Sequence, residues 1–213
     1  MSELVYCVPT ELLPEPSKPA QPLTPELYTI MANQGQFLVR DEVEEDETQR
    51  QIIPYAVVEY HPEPESDPLV LLVERLKAGS ETRLHNKLSI GLGGHINPED
   101  DDASSTGEQK NAASEQDILE AALVRELREE LVIGAFTADA RALIHRSENA
   151  VERVHTGLLY SVKVVAPVSV HETHKLAGEH VPWAEVGRSY DRLEGWSQAA
   201  YEFLQPKMAK QIA

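Results

Sequence analysis

The sequence predicts an α/β or α+β sandwich. Short apolar stretches, of which residues 69–74 (LVLLVE) are the clearest, have the length and composition of buried β-strands. Residues 115–131 are filled with alanine, leucine and charged helix-forming residues, and residues 183–205 also have helical character. Strands that flank one strong helix, with more helix after them, favour helices packed against a sheet.

Residues 1–50 are predicted to form an N-terminal extension, and residues 51–213 the main domain. The six prolines in residues 1–27 favour extended chain lying on a domain surface, with a loose tail as the equal alternative. The run DEVEEDET at 41–48 holds six acids in eight positions, which is typical of a solvated face.

The main domain starts with strands and continues into the predicted helix. Strands are predicted at 52–60, 69–74, 88–92 and, as one or two strands, 158–170. The polar stretch 97–114 predicts a long surface loop, and Ser114 is the predicted N-cap of the helix that follows. The later helical region is expected to break around Gly187 and Gly195.

Composition restricts the function classes. The chain has 213 residues and a formal net charge of −17, which argues against binding a nucleic acid polymer or a membrane surface. The single cysteine, Cys7, excludes an intrachain disulfide and a cysteine-based zinc site, and we expect it to be inert. Because no membrane-length apolar run or secretory signal is visible, a cytoplasmic protein is expected.

Three glutamates in the predicted helix share one face. On a helical wheel Glu126, Glu129 and Glu130 lie at about 0°, −60° and +40°, while Leu127 and Leu131 lie at about 100° and 140° on the core side. Like charges at these spacings destabilise a helix by a few tenths of a kcal/mol per pair, and a divalent cation removes that penalty. The alternative is an exposed acidic face with arginine partners.

This pattern resembles the Nudix box of the MutT-like hydrolases, G-x5-E-x7-R-E-U-x-E-E-x-G-U, in which U is aliphatic. The string GLGGHINPED at 91–100 is similar to a bacterial subgroup of predicted MutT-family phosphoesterases. The resemblance implies a Nudix-type α/β/α sandwich with a mixed β-sheet over about 50–205. The residues that match the box at the family's spacings are Arg125, Glu126, Leu127, Glu129, Glu130 and Ile133, with Asp117 in place of the first Glu and Gly93-Gly94 after a strand.

The chain departs from the family pattern in two places. Between Gly94 and Asp117 there are 22 residues where the family has five, which places an insertion at about 97–114. Val132 stands where the family has the glycine that ends the helix, and Gly134 is expected to take over that role.

The resemblance implies a hydrolase of a nucleoside diphosphate linked to another group, in which water attacks phosphorus with Mg²⁺, or Mn²⁺, as cofactor. Its implied catalytic and metal-binding residues are Glu126, Glu129 and Glu130, with the carbonyl of Gly94 as a further ligand. Glu126 is alternatively the base that orients water. Asp117 and Arg125 are expected to support the loop and the helix through a salt bridge.

Some residues outside the Nudix box are also expected to belong to the site or to the core. Family members often use one more acid, and Glu172 is preferred here. Arg83, His85 and Lys87 are candidate phosphate contacts, with a solvated loop as the equal alternative. His95 is expected to be a hydrogen-bonded packing residue. The other acids considered are Glu148, Glu152 and Glu179, and the residues assigned to the core are Trp183 and Trp196.

The expected partner is a small-molecule diphosphate, and a homodimer stays open. Two further readings remain. One is a Nudix-fold binding module or sensor that has lost turnover. The other is an enzyme similar to isopentenyl-diphosphate isomerase, which needs an active-site cysteine that Cys7 is badly placed to supply.

Overall fold

One mixed β-sheet runs through the protein and carries helices on both faces. The structure is a computed structural model that describes residues 2–63, 66–75, 87–101, 117–171 and 176–205. The strands are β1 (Leu4–Pro9), β2 (Ala20–Pro22), β3 (Gln36–Val39), β4 (Gln49–Tyr60), β5 (Leu69–Arg75), β6 (Leu88–Ser89), β7 (Gly91–Leu92), β8 (Leu131–Val132), β9 (Phe136–Ile144), β10 (His155–Val164), β11 (Ser169–Val170) and β12 (Leu176–Pro182). The helices are α1 (Pro25–Asn33), α2 (Arg40–Val43), α3 (Ile118–Glu130), α4 (Ala150–Val154), α5 (Trp183–Arg188) and α6 (Gly195–Leu204), with 3-10 turns at Thr10–Leu12 and Tyr190–Arg192.

The order of strands across the main sheet is β12-β5-β4-β10-β9-β2. The central pair, β4 and β10, is parallel, and every other pairing in the sheet is antiparallel. A separate two-stranded ribbon joins β8 to β11. The sheet is therefore mixed, as the resemblance implied.

Each face of the sheet buries its own apolar core. Alternation along β10 sends Leu158 to the core under α3 and Leu159 to the core under α5 and α6. The helix α3 contributes Leu119, Leu123 and Leu127 to the first core, and each is at most 2% exposed. Full burial of a leucine contributes about 1.5–3 kcal/mol, so these side chains hold α3 on the sheet. The α/β/α sandwich expected from the sequence is confirmed.

The N-terminal residues are part of the sheet, rather than extended chain on a surface or a loose tail. The strand β1 pairs with β3 and with the start of β4, and its residues Val5 to Val8 are at most 5% exposed. The acidic run begins as the short helix α2, whose Val43 is buried while Asp41 and Glu42 are exposed. The division near residue 50 stays a prediction.

Most of the predicted elements are present with changes at their ends, and the structure adds α1, β9, α4 and β12, which the sequence did not predict. The strand expected at 88–92 breaks at Ile90 into β6 and β7. The N-cap of α3 is Asp117, three residues beyond the predicted Ser114, which lies outside the described residues. The helix does not continue to Gly134. It ends at Glu130, because Leu131 is extended at φ −128° and ψ 143° and starts β8, so no left-handed glycine is required.

Candidate active site

The paired glycines after β7 bring the backbone against the acids of α3. A Cβ atom on Gly94 would lie 2.5 Å from Glu126 Oε1 and 2.6 Å from Oε2, so only glycine leaves this carboxylate where it is. A Cβ atom on Gly93 would lie 1.9 Å from the carbonyl oxygen of Pro54 in β4. The predicted proximity of Gly94 to the helix is thus present in the fold, across the 22-residue separation from Asp117.

Arg125 joins the glycine loop to the helix. Its guanidinium donates to both carboxylate oxygens of Asp100, at 2.8 and 3.0 Å, and to the carbonyl oxygen of His95 at 2.8 Å. The same group donates from Nη1 to Glu126 Oε1 at 2.6 Å and to Glu129 Oε2 at 3.1 Å. These charge-assisted bonds hold Glu126 against Gly94 and stabilise the bend that leads out of the strand.

Asp100 is a site residue that the sequence reasoning missed. Its side chain is only 3% exposed, and its Oδ2 also accepts from the backbone nitrogen of Asn97 at 2.8 Å. Residues 98–101 are helical, in the stretch predicted as loop. The sequence signal is Asn-Pro-x-Asp, because an acid three residues after a helix start can reach back to that residue's N–H. This signal was missed because Asp100 lies within a run of acidic residues.

The expected salt bridge between Asp117 and Arg125 is not the arrangement found. Asp117 Oδ1 instead accepts from the backbone nitrogens of Leu119 and Glu120, at 3.0 Å each, and so caps α3. The two residues are eight positions apart on one helix, about 12 Å along its axis, which is too far for an ion pair. Each supports the helix separately, with Asp100 as the acidic partner of Arg125.

The three glutamates differ in environment. The side chain of Glu126 is 12% exposed, and burial, with the charges of Glu129 and Glu130, raises its pKa against the lowering effect of Arg125. The side chain of Glu129 is 59% exposed. A largely buried carboxyl group with a raised pKa accepts a proton more readily at neutral pH than a free one does.

The C-terminal end of α3 contacts the segment that leads to Glu172. The backbone nitrogen of His171 donates to the carbonyl oxygen of Glu130 at 2.8 Å, and His171 Nδ1 lies 3.2 Å from the carbonyl oxygen of Glu129. Glu172 itself lies outside the described residues, as do Arg83 and His85. His171, the residue before Glu172 in the chain, therefore lies at the C-terminal end of α3, where Glu129 and Glu130 are.

The alternative acids are engaged elsewhere. Glu148 and Glu152 pair with Arg146, whose guanidinium also donates to the carbonyl oxygen of Gly195 at the start of α6. Glu179 is exposed on β12, directly opposite Leu72, whose side chain belongs to the core under α5 and α6. That is the face of the sheet away from α3. Lys87 is exposed ahead of β6.

His95 behaves as the predicted packing residue. Its Nε2 lies 2.8 Å from Gln51 Oε1 and 3.2 Å from His155 Nε2. Burial, with the charges of Arg40 and His155, lowers the pKa of His95 to about 3. The imidazole is therefore neutral at pH 7. Trp183 is buried as expected, and its Nε1 donates to Glu59 Oε1 at 3.0 Å.

Cys7 has no accessible thiol chemistry in this fold. The residue is fully buried in β1, and burial with the charge of Asp46 raises the pKa of its thiol to about 12. This supports the expectation that Cys7 is inert, and it counts against the isomerase-like alternative, which needs a reactive cysteine.

The oxygen donors of this site fit a hard divalent cation. Carboxylates of Glu126, Glu129 and Glu130 and the carbonyl of Gly94 are the ligand types that Mg²⁺ prefers, and glycine leaves space that a Cβ would fill. No preformed group of three acidic, histidine or cysteine side chains surrounds a common point among the described residues. In this arrangement the carboxylates of Glu126 and Glu129 both accept from Nη1 of Arg125.

Comparison with known proteins identifies the class. The crystal structure of Tm1382, described as a candidate Nudix hydrolase, matches with a TM-score of 0.73 at 26% identity, covering 94% of this chain and 97% of that one. The fold, the glycine pair and the glutamate helix agree with that likeness, and the chain belongs to the Nudix (MutT-like) superfamily.

A curated relative aligns with most of the chain. Protein YmaB of Bacillus subtilis (strain 168) is 38% identical over 173 residues, which span 78% of this chain and 76% of that protein. No family model matches the chain. Within the described part of the chain, no helix has the length and apolar character that crossing a membrane requires.

Proposed function

We propose that the protein is a cytoplasmic, metal-dependent hydrolase that cleaves the phosphoanhydride of a nucleoside diphosphate linked to another group. One observation carries the proposal: the carboxylate of Glu126 lies directly against Gly94 at the end of β7, although 31 residues separate the two in sequence. Likeness to a Nudix hydrolase over nearly the whole chain supports hydrolysis as the general reaction class.

The residues that would hold Mg²⁺, or Mn²⁺, are Glu129 and Glu130, with the carbonyl of Gly94, and Glu126 is the alternative ligand if it does not act as the base. Glu172 is the proposed further ligand, because His171 is hydrogen-bonded to the end of α3. Bound there, the ion would stabilise negative charge on the phosphate oxygens and lower the pKa of a water molecule.

The chain's own residues have separate roles in this proposal. Glu126 accepts a proton from the attacking water, which its largely buried position and raised pKa favour. Arg125 fixes the position of Glu126 and must release Glu129 for that carboxylate to turn towards a ligand. Lys87, with Arg83 and His85, is proposed to contact the substrate phosphates.

The test is phosphate or nucleotide release from a panel of diphosphates. The panel holds nucleoside diphosphates and triphosphates, nucleotide sugars, dinucleotides and non-nucleotide diphosphates, each with Mg²⁺, Mn²⁺ or chelator. The wild type should release product from one class only with metal. Glu129→Gln should raise the metal concentration needed, and Glu126→Gln should lower kcat by about 10²-fold or more.

A matched control separates these effects from loss of any surface charge. Glu185→Gln, on the exposed face of α5, removes a glutamate on the opposite side of the sheet and should leave activity unchanged. Full activity in Glu129→Gln at limiting metal would exclude that residue as a ligand. If Glu126→Gln raised KM and left kcat unchanged, the role of Glu126 as a base would be excluded.

The binding-module alternative has one observation in its favour, which is that Arg125 holds both Glu126 and Glu129. It predicts no release from any compound, together with a ligand-induced rise in Tm that is equal with and without metal. Metal-dependent release from even one class of the panel excludes it.

A further inference from the structure

A pocket unrelated to the glutamate helix lies where the N-terminal chain crosses the sheet. The N-terminal segment contributes Thr10, residues 13–16 and Gln21 to its lining, and the sheet contributes Arg50, Leu143, His145 and Thr156. The pocket is a small depression that opens to solvent, and the cavity volume inside it is about 30 Å³. Leu13, Pro14 and Pro16 are the apolar part of the lining from the N-terminal segment, and the limited space suits a small group.

Arg50 has no hydrogen-bond acceptor in this pocket. Its Nη1 is buried, and no described residue within hydrogen-bond distance accepts from it. Burial lowers the pKa of the guanidinium, and the charges of Glu47 and Glu15 offset that only in part. A buried cationic donor favours an acceptor, and no described side chain supplies one to this atom, so an oxygen atom of a ligand in the open pocket would be a suitable partner.

His145 and Thr156 place further polar groups beside Arg50. Nδ1 of His145 lies 3.5 Å from Oγ1 of Thr156, at the edge of hydrogen-bond distance. Burial, with the charge of Arg50, lowers the pKa of His145 to about 4, so the ring is neutral at pH 7. It can therefore contact a bound anion without a change in its own protonation. A neutral imidazole, a hydroxyl and a planar guanidinium together match the oxygens of a small anion.

We propose that this pocket is a binding site for a small oxyanion, in which Arg50 donates to two oxygens of a phosphate or a similar group, with His145 and Thr156 beside it. The guanidinium geometry favours such paired contacts. Two acids oppose binding: Glu15, which lines the pocket and is exposed, and Glu47, whose backbone carbonyl accepts from Thr10. The inference is independent of the proposed hydrolysis, since none of the pocket residues belongs to the glutamate site.

The experiment titrates the purified full-length chain with inorganic phosphate in the presence of chelator, by calorimetry and by thermal unfolding. Sodium chloride at equal ionic strength is the reference. The wild type should bind phosphate and show a higher Tm. Arg50→Gln should weaken binding by tenfold or more, and Glu15→Gln should strengthen it by a few fold, because a repelling charge is removed.

Three controls make the result specific. Arg141→Gln removes an exposed arginine of β9 and should bind phosphate as the wild type does. Glu129→Gln should also bind normally, which separates this pocket from the glutamate site. Arg50→Lys keeps the positive charge but lacks the paired donors of the guanidinium, so it should bind phosphate more weakly than the wild type while preserving the fold.

Titrations with different anions show which kind of oxyanion the pocket prefers. Preference for a nucleoside monophosphate over inorganic phosphate would identify an esterified phosphate, and equal binding of acetate would identify a carboxylate. Absence of any response beyond chloride in the wild type, or an equal response in Arg50→Gln, would overturn the proposal. A lower Tm of Arg50→Gln without phosphate dependence would assign Arg50 a purely structural role and overturn it as well.

Discussion

Removal of Arg125 should cost more stability than removal of any exposed arginine of this protein. The carboxylate of Asp100 is 3% exposed and accepts two bonds from Arg125, at 2.8 and 3.0 Å. In Arg125→Gln this buried charge keeps only the bond from the backbone nitrogen of Asn97. Loss of one partner from a buried ion pair costs about 3–5 kcal/mol.

The lower end of that range applies because the side chain of Arg125 is 23% exposed, which lets water reach part of the pair. We therefore expect Arg125→Gln to lower the free energy of unfolding by about 3 kcal/mol. Asp100→Asn should cost about 1–2 kcal/mol, because Arg125 keeps Glu126, Glu129 and the carbonyl of His95 as acceptors.

Urea denaturation of the wild type, the two single variants and the double variant measures the coupling. The double variant should lose about 1.5–3 kcal/mol less than the two single losses combined, since it leaves no unpaired buried carboxylate. Arg141→Gln, whose partner Asp139 is 71% exposed, is the matched control and should cost less than about 1 kcal/mol. Additive losses, within about 0.5 kcal/mol, would refute the coupling of Arg125 to Asp100.

Two further predictions concern the glycine pair and the stability at acid pH. Gly93→Ala should cost about 3 kcal/mol of stability, because the added Cβ would lie 1.9 Å from a backbone oxygen. Gly94→Ala should cost under about 1 kcal/mol of stability, but it should lower kcat/KM by about 10²-fold because the added Cβ displaces the carboxylate of Glu126. Equal Tm values for the two variants would contradict this. His145 has an ordinary pKa of 6.5 and a folded pKa of about 4, so the unfolded chain binds the extra proton between these values and stability falls as pH drops through this window. Allowing for its partial exposure, the part of this loss due to His145 should be about 1–2 kcal/mol. His145→Gln should lack that part and keep the part due to His95 and His180, whose pKa values are also lowered, while a control His61→Gln should keep the full loss. An unchanged pH profile in His145→Gln would rule out the contribution of His145.

The helix of the candidate site could be predicted from short stretches of chain. The spacing of Glu126, Glu129 and Glu130 specifies a common face, because helical geometry depends only on separation along the chain. The apolar stretch at β5 and the alanine-rich composition of α3 are local features of the same kind. Their boundaries shifted by a few residues, because the cap on Asp117 and the extended Leu131 depend on what surrounds the helix ends.

The spacing from Asn97 marks Asp100 as the capping acid among the four at 99–102, but its ion pair with Arg125 could not be predicted from that spacing. That pairing depends on which side chain faces Arg125 after the strand and helix have packed. The burial of β1 has the same origin: its residues read as proline-flanked extended chain, and only pairing with β3 and β4 makes them core.

Local chemistry thus specified the superfamily, the acidic helix face and the glycine pair from residues close together in the chain. Packing alone decided that Gly94 touches Glu126, that Arg125 bonds to Asp100 rather than Asp117, and that an unpartnered Arg50 faces a pocket under the N-terminal segment. The physical reason is that periodicity and propensity act over a few residues. Contacts between distant residues form only when burial of the two apolar cores brings their elements together.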